Sequence, residues 1–523
     1  MSFKLSEWSD LSKRSRVIFY TVSFALLAAS LLFKLGRHGF SSLTGGTAAF
    51  HTAAVLICIA AAAAALPFLH KLSAEKNFLI IWTLLSMLFM FSGTLFKAAD
   101  ENGHFYRSFE ISKGYAVSEV QESSGQGGRE LPLDVDLKLL RDSWGSFSEN
   151  KDMTLTEDEP FIIFTNLSLY CPVSYLPQSA GILIARLFTK NIAVIAYAGR
   201  IANWLAITIM TYFAIKVMPV KKELMLIFAL LPMNIYEATS MAPDGLVVAL
   251  SMLMFAYVLY LRFEQTDTLS VRQYILLYLM AWSISLLKIV YLPICMIYFL
   301  IPAERFGSTR NKIIHAVVMA LLAVGSNLIW LMICKRFLTI PGTDSSEQLR
   351  YVLHDPLNYV KVMIRTALHG APRWMLMMIG GYLGALNIET SKLLALVYML
   401  LLVTAFIDFP KASAFIKAKK NGTPREKTIR SENVIFGLIV FSILMLIAAS
   451  IYIEWNAPHS DVIVGVQGRY FIALLLPLYF AFHNATRAYN DTDPCPETRT
   501  ALSEYIILLV NACAGLDVLF ACL

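Results

Sequence analysis

Apolar runs of about twenty residues recur along the whole chain, and no other feature restricts its fold as strongly. NFLIIWTLLSMLFMFSGTLFK (77–97) and ENVIFGLIVFSILMLIAASIYI (432–453) are two of them. A helix rises about 1.5 Å per residue, so roughly 20 apolar residues cross a hydrocarbon layer about 30 Å thick. A helix also satisfies its own backbone hydrogen bonds, which hydrocarbon cannot do for it. Of the 523 residues 57% are hydrophobic and 15% charged, more apolar surface than a water-soluble domain can hide. The chain therefore reads as all-α, a polytopic bundle of transmembrane helices. The net charge of +7 lies mainly in loops, which fits orientation in a membrane and not nucleic-acid binding. The seven cysteines are scattered, mostly inside apolar runs, without metal-ligand or disulfide spacing. The first apolar run is too long for a signal peptide and lacks a small-residue cleavage site, so it reads as retained.

Lys and Arg placement gives the topology. Lys4, Lys13, Arg14 and Arg16 precede the first span and put the amino terminus in the cytoplasm. Spans at 15–34, 50–69 and 78–97 then bring residue 98 outside, with Lys34 and Arg37 as a weak contrary vote. Segment 98–160 carries fourteen Asp or Glu against six Lys or Arg, as an outer loop should. CPVSYLPQSAGILIARLF (171–188) is apolar, but a crossing there would deliver Lys216, Lys221 and Lys222 to the outside. It reads instead as a segment lying along the surface, broken by Pro172 and Pro177. Arg272 on one side of the run 273–302 and Arg305, Arg310 and Lys312 on the other require an even number of crossings. Two short helices turning near Lys288 satisfy that. A helix at 313–336 leads out, 337–388 stays outside and partly interfacial, and 389–410 returns to the basic inner loop 411–430. Spans at 432–453, 469–488 and 503–522 complete about thirteen crossings. The expected organisation is a cytoplasmic segment and added hairpin over 1–77, a core over 78–488 with the outer loop 98–192, and a last helix within 489–523.

This topology gathers distant polar residues on one membrane face. They are Asp100, Glu101, His104 and Arg107 in AADENGHFYRSFEISKG, Arg200, Asp244 after Pro243, Lys288, and Asp461, Gln467, Arg469 and Tyr470 in EWNAPHSDVIVGVQGRYF. Carboxylates can deprotonate a hydroxyl and cations can hold a phosphate, so a lipid-phosphate-linked sugar suits such an edge. Each also has a plainer reading. Asp100 could cap a short helix, Glu101 could favour its positive end, and His104 could be a hydrogen-bonded interfacial residue. Asp244 could start the next helix, and Lys288, Arg200 and Arg469 could reach for the interface.

The stretch DENGHFYRSFEISKG resembles the pattern of Asp-Glu, His-Phe, Arg and Gly in bacterial membrane proteins of the family called domain of unknown function 2142. SYLPQSAGILIARLF, YAGRIANW, LLPMNIYEATSMAPDGLVVAL, SLLKIVYLP, GYLGALN and GVQGRYFIALLLPL follow in that family's order, over about residues 95 to 485. That family is similar to the GT-C glycosyltransferases, which carry an acidic pair in the first large outer loop and take sugars from polyprenyl-phosphate donors. Two departures stand out. Ala99 replaces the usual Pro, and the loop follows the third span instead of the first. The resemblance implies a GT-C-like bundle with juxtamembrane helices in its catalytic loop. It also implies inverting sugar transfer to a cell-envelope glycan or lipid-linked acceptor, at the outer face of a bacterial cytoplasmic membrane. Asp100, Glu101 and His104 would be catalytic, and Arg107, Arg200, Asp244, Lys288, Gln467, Arg469 and Tyr470 would bind substrate. A divalent metal, Mg or Mn, could sit on Asp244. Membrane lipids are the other expected partners. Two other classes remain open, a lipid or polysaccharide transporter and a non-catalytic subunit of a polysaccharide-assembly complex.

Overall fold

A computed structural model of the chain describes residues 46–69, 72–334, 337, 343–407, 431–490 and 501–523. The expected first span at 15–34 and the basic loop 411–430 lie outside the described residues. Within them the chain is mostly helical. Seven helices are long and apolar enough to cross a membrane: Ala48–Leu66, Ala74–Ser92, Ile192–Val217, Asp244–Phe263, Thr309–Cys334, Ser431–Trp455 and Ser503–Cys522. Other apolar stretches are shorter helices, among them Val271–Leu287, Ile289–Leu300, Ala395–Phe406 and Gly468–Phe482.

Short or broken helices occur where the sequence supplies a breaker. Lys222–Ala229 stops before Pro232–Ala238, because Pro232 has no N–H to continue the ladder and suits the first turn of the next helix. The Asn234 amide repairs the interruption by donating to the Ala229 carbonyl at 2.8 Å. Val271–Leu287 ends at Lys288, whose extended backbone (φ −156°, ψ 107°) turns the chain into the 3-10 helix Ile289–Leu300. The two pieces expected around Lys288 are thus present. Segment 171–188 forms a 3-10 turn Pro172–Tyr175 and the helix Leu176–Arg186, whose eleven residues are too few to cross. That helix packs on Ile192–Val217, and Gly181 makes the approach possible: a Cβ there would lie 2.3 Å from the Ala198 carbonyl oxygen.

The loop after Ala74–Ser92 departs from the all-helical expectation. Beside the helices Glu101–Ser112 and Trp144–Asn150 it holds a small antiparallel sheet of β1 (Glu119–Val120), β2 (Gly127–Glu130) and β3 (Phe161–Ile163), in the order β1-β2-β3. Buried Glu110 ties the sheet to the helix. It accepts from Arg129 Nε at 2.7 Å and pairs with Arg107, while Arg129 also reaches Glu119 at 2.8 Å. Part of the loop's acidity is therefore spent internally. The last helix, Ala501–Cys522, packs against Gly46–Leu69, Ala74–Ser92 and Lys392–Ile407 and shares one continuous apolar core with the residues between them.

Candidate functional site

The helix Glu101–Ser112 begins at Asp100, which has left-handed backbone (φ 56°, ψ 14°) and makes no side-chain cap. The capping role suggested by the sequence is thus not what the structure contains. Asp100 is exposed and Glu101 is fully buried. Arg200 grips both Glu101 oxygens, with Nε and Nη2 each at 2.7 Å, and also donates to the Thr94 carbonyl at 3.2 Å. Two backbone donors complete the Glu101 site, Ala98 N–H at 3.2 Å and Met241 N–H at 3.1 Å. Glu101 and Arg200 therefore serve as a buried fastener joining three distant segments. This corrects the expectation that Arg200 faces a substrate, since its fork is already filled by a carboxylate.

Met241 belongs to the turn that leads into Asp244–Phe263. The Asn203 amide donates to the Ser240 and Ala242 carbonyls at 2.9 and 3.1 Å, and Gln178 Nε2 donates to the Met241 carbonyl at 3.3 Å. Pinned at each step, the turn fixes where Asp244 emerges. The Lys288 ammonium lies 2.5 Å from Asp244 Oδ1. Arg469 Nε stands 3.8 Å from the other Asp244 oxygen, and Arg469 Nη1 donates to Glu237 Oε1 at 2.8 Å. Four charges thus alternate in sign through the site, in the order Lys288, Asp244, Arg469, Glu237. Gly468 allows Arg469 to reach this position. A Cβ on Gly468 would fall 2.0 Å from the Trp374 carbonyl oxygen and 2.5 Å from the Met378 amide nitrogen.

Aromatic groups surround the charges. The Tyr170 and Tyr470 rings lie 5.9 and 5.1 Å from the Lys288 ammonium, within cation–π range. The Tyr291 hydroxyl holds the Tyr470 carbonyl at 2.9 Å. His104 is one helical turn beyond Asp100, and its amide accepts that register by donating to the Asp100 carbonyl at 3.0 Å. His104 Nδ1 shares a 2.8 Å hydrogen bond with the Tyr175 hydroxyl. Burial lowers the His104 pKa to about 3, the Asp244 charge raising it only in part, so the ring is neutral near pH 7.

The structure thus brings together Asp244, Lys288, Arg469 and Tyr470, with His104 beside them. Arg107 is not among them. It is fully buried within the loop, donating to the Ala116 and Tyr170 carbonyls at 2.7 and 3.1 Å as well as pairing with Glu110. Asp461 lies apart, exposed and 3.1 Å from Arg365. Asp244 is a poor metal ligand in this arrangement, because each of its oxygens faces a cation and a divalent ion would meet their repulsion. Sequence reasoning passed over Glu237, Tyr170, Tyr175 and Tyr291. Glu237 was findable as a lone acid inside an apolar run, a position that costs too much to be idle. Glu237 Oε2 and Arg469 Nε are buried without a hydrogen-bond partner, so the cluster retains polar capacity for a ligand; Gln467 Oε1, two residues before Arg469, is likewise buried without one.

A family described as "Predicted membrane protein (DUF2142)" matches residues 83–478, a span that contains every member of this cluster. No curated protein and no solved structure matches the chain.

Proposed function

The chain belongs to that family of predicted membrane proteins, and on this footing we propose that it is a GT-C-like inverting glycosyltransferase. Its donor is a polyprenyl-phosphate-linked sugar and its acceptor an envelope glycan or lipid-linked sugar. It works at the outer face of a bacterial cytoplasmic membrane, with the amino terminus in the cytoplasm. The observation that carries this reading is the division of labour within the acidic pair. Glu101 is held by Arg200, whereas Asp100 stays exposed on left-handed backbone, one helical turn before His104, the residue that feels the charges of Asp244, Lys288 and Arg469. A non-glycine residue in that backbone region stores strain, and such residues gather at functional sites.

In the proposed reaction Asp100 takes the proton from the acceptor hydroxyl as its oxygen attacks the anomeric carbon. The bond from that carbon to the phosphate oxygen breaks, and the phosphate leaves with the electron pair. Lys288 and Arg469 stabilise the charge that develops there. Both cations are already balanced by Asp244 and Glu237, so the phosphate shares them and the carboxylates hold them in place. Glu101 and His104 act as positioning residues: the first fixes the start of the loop helix, and the second orients the Tyr175 hydroxyl. No step requires a metal at Asp244.

The test is sugar transfer by purified protein in nanodiscs, with the donor sugar identified by comparing envelope glycans of a deletion strain and its parent. Asp100→Asn removes the charge at nearly constant shape and should cost on the order of a hundredfold to ten-thousandfold in rate. Parental transfer by Asp100→Asn would falsify the base assignment. Absence of transfer by the parental protein, with the glycan change still seen in the deletion strain, would favour the assembly-subunit reading.

A further inference from the structure

The helix Pro356–Met378 has 23 residues, long enough to cross a membrane, yet it is not one of the seven apolar spans. Its exposed face explains why. Leu357, Val360, Ile364, Leu368 and Met375 are exposed, the two outermost leucines by 75% each, and their spacing of three, four, four and seven makes one apolar row. A second, inclined row, Lys361, Arg365, His369 and Arg373, spaced four apart and also exposed, starts beside it and turns toward the buried side, where the Arg373 guanidinium lies 5.3 Å from the Tyr382 ring. The helix contains no acidic residue. Its opposite side is buried through Val362, Thr366, Met377 and Met378, with the Thr366 hydroxyl accepting from the Ile463 amide at 2.9 Å. Leu349 and Leu353 of the preceding helix Ser345–His354 expose further apolar surface.

We propose that this helix is a lipid-binding surface lying in the bilayer interface, its apolar row among the acyl chains and its basic row on the phosphates of anionic lipids. A crossing orientation would put four basic side chains at successive depths in hydrocarbon, at a high cost. Lying flat seats one row in each medium. The charge of the row, all of one sign, selects an anionic surface as the occupant. Arg365 does not oppose this, because its partner Asp461 is itself exposed and the pair is exchangeable with solvent. The inference is independent of the transfer reaction, although it bears on the site. The same helix presents the Trp374 carbonyl against which Gly468, and so Arg469, is seated.

The test uses the full chain, cysteine-free, in nanodiscs of phosphatidylcholine or of an equal mixture with phosphatidylglycerol. A bimane label on Leu368→Cys should be quenched by doxyl-labelled lipid and shielded from iodide, whereas one on Ser123→Cys in the exposed loop should show the reverse. Quenching of the Leu368 label by iodide and not by doxyl lipid means that water covers this face, and quenching by neither means that protein does; either result overturns the proposal. Retention of phosphatidylglycerol by native mass spectrometry should exceed that of phosphatidylcholine. Lys361→Gln and Arg373→Gln should each weaken it roughly fivefold. Equal retention of the two lipids, or no effect of either substitution in protein that remains monodisperse, overturns the assignment of the basic row.

Discussion

At the scale of single residues, two adjacent acids do different things because only one meets an arginine. Glu101 and Arg200 form a fully sheltered pair, and such pairs are costly to break from one side. Arg200→Met leaves the Glu101 charge without its partner and should lower stability by about 3 to 5 kcal/mol, seen as a fall in the thermal midpoint in detergent. The double variant Glu101→Gln with Arg200→Met removes both charges and should recover part of that loss. If the double variant is as unstable as the single one, the pair is not the fastener described. His104 supplies a pH signature. Its folded pKa of about 3 lies below its usual 6.5, so the unfolded chain binds the proton more tightly. The associated stability is complete above about pH 6.5 and is lost as pH falls toward 3. Lowering the pH from 7 to 5 should therefore reduce the midpoint of the parental protein more than that of His104→Gln. Parallel pH profiles would remove His104 as a source of the dependence.

At the scale of elements, close backbone approaches decide where the functional side chains stand. Gly468 lies against the helix Pro356–Met378 with no room for a methyl group, so Gly468→Ala must displace backbone. Overpacking of this kind costs typically 1 to 3 kcal/mol, and Arg469 should move with it, so transfer should fall along with stability. Gly437 is the contrast. It sits in the helix Ser431–Trp455 with nothing within 4 Å of an added Cβ. Gly437→Ala should be neutral or stabilising by up to about 1 kcal/mol, since alanine is the better helix former. Thermal midpoints of the two variants, measured side by side, check the contrast. The same scale explains why the shortness of the helix in segment 171–188 was legible in the sequence and the small sheet was not. Two prolines and a charge argument limit the first to a short helix, whereas β1 to β3 are only two to four residues each and carry no periodic signal of their own.

For the whole molecule the expectation to be tested is orientation, which rests on charge alone. Ser123 is exposed in the acidic loop, and Ser123→Cys in a cysteine-free background should react with an impermeant thiol reagent on intact cells. Asn421→Cys in the basic loop should not react until the cells are opened. The opposite pattern would place the Asp244 and Lys288 cluster on the cytoplasmic side and end the proposed mechanism. The sequence by itself determined that the chain is a helical membrane protein, because the length and hydropathy of an apolar run are local properties set by the thickness of hydrocarbon. It also marked Asp100, Asp244, Lys288 and Arg469 as charges that the charge-derived topology gathers on one membrane face. Only the tertiary structure decided which charge meets which. Arg200 goes to Glu101 across 99 residues and Arg469 to Glu237 across 232, and contacts at such separations depend on helix packing that no local pattern encodes. In a medium of low dielectric each cation takes the carboxylate that packing brings within reach, so pairing, and with it the freedom of Asp100, is a property of the assembled bundle.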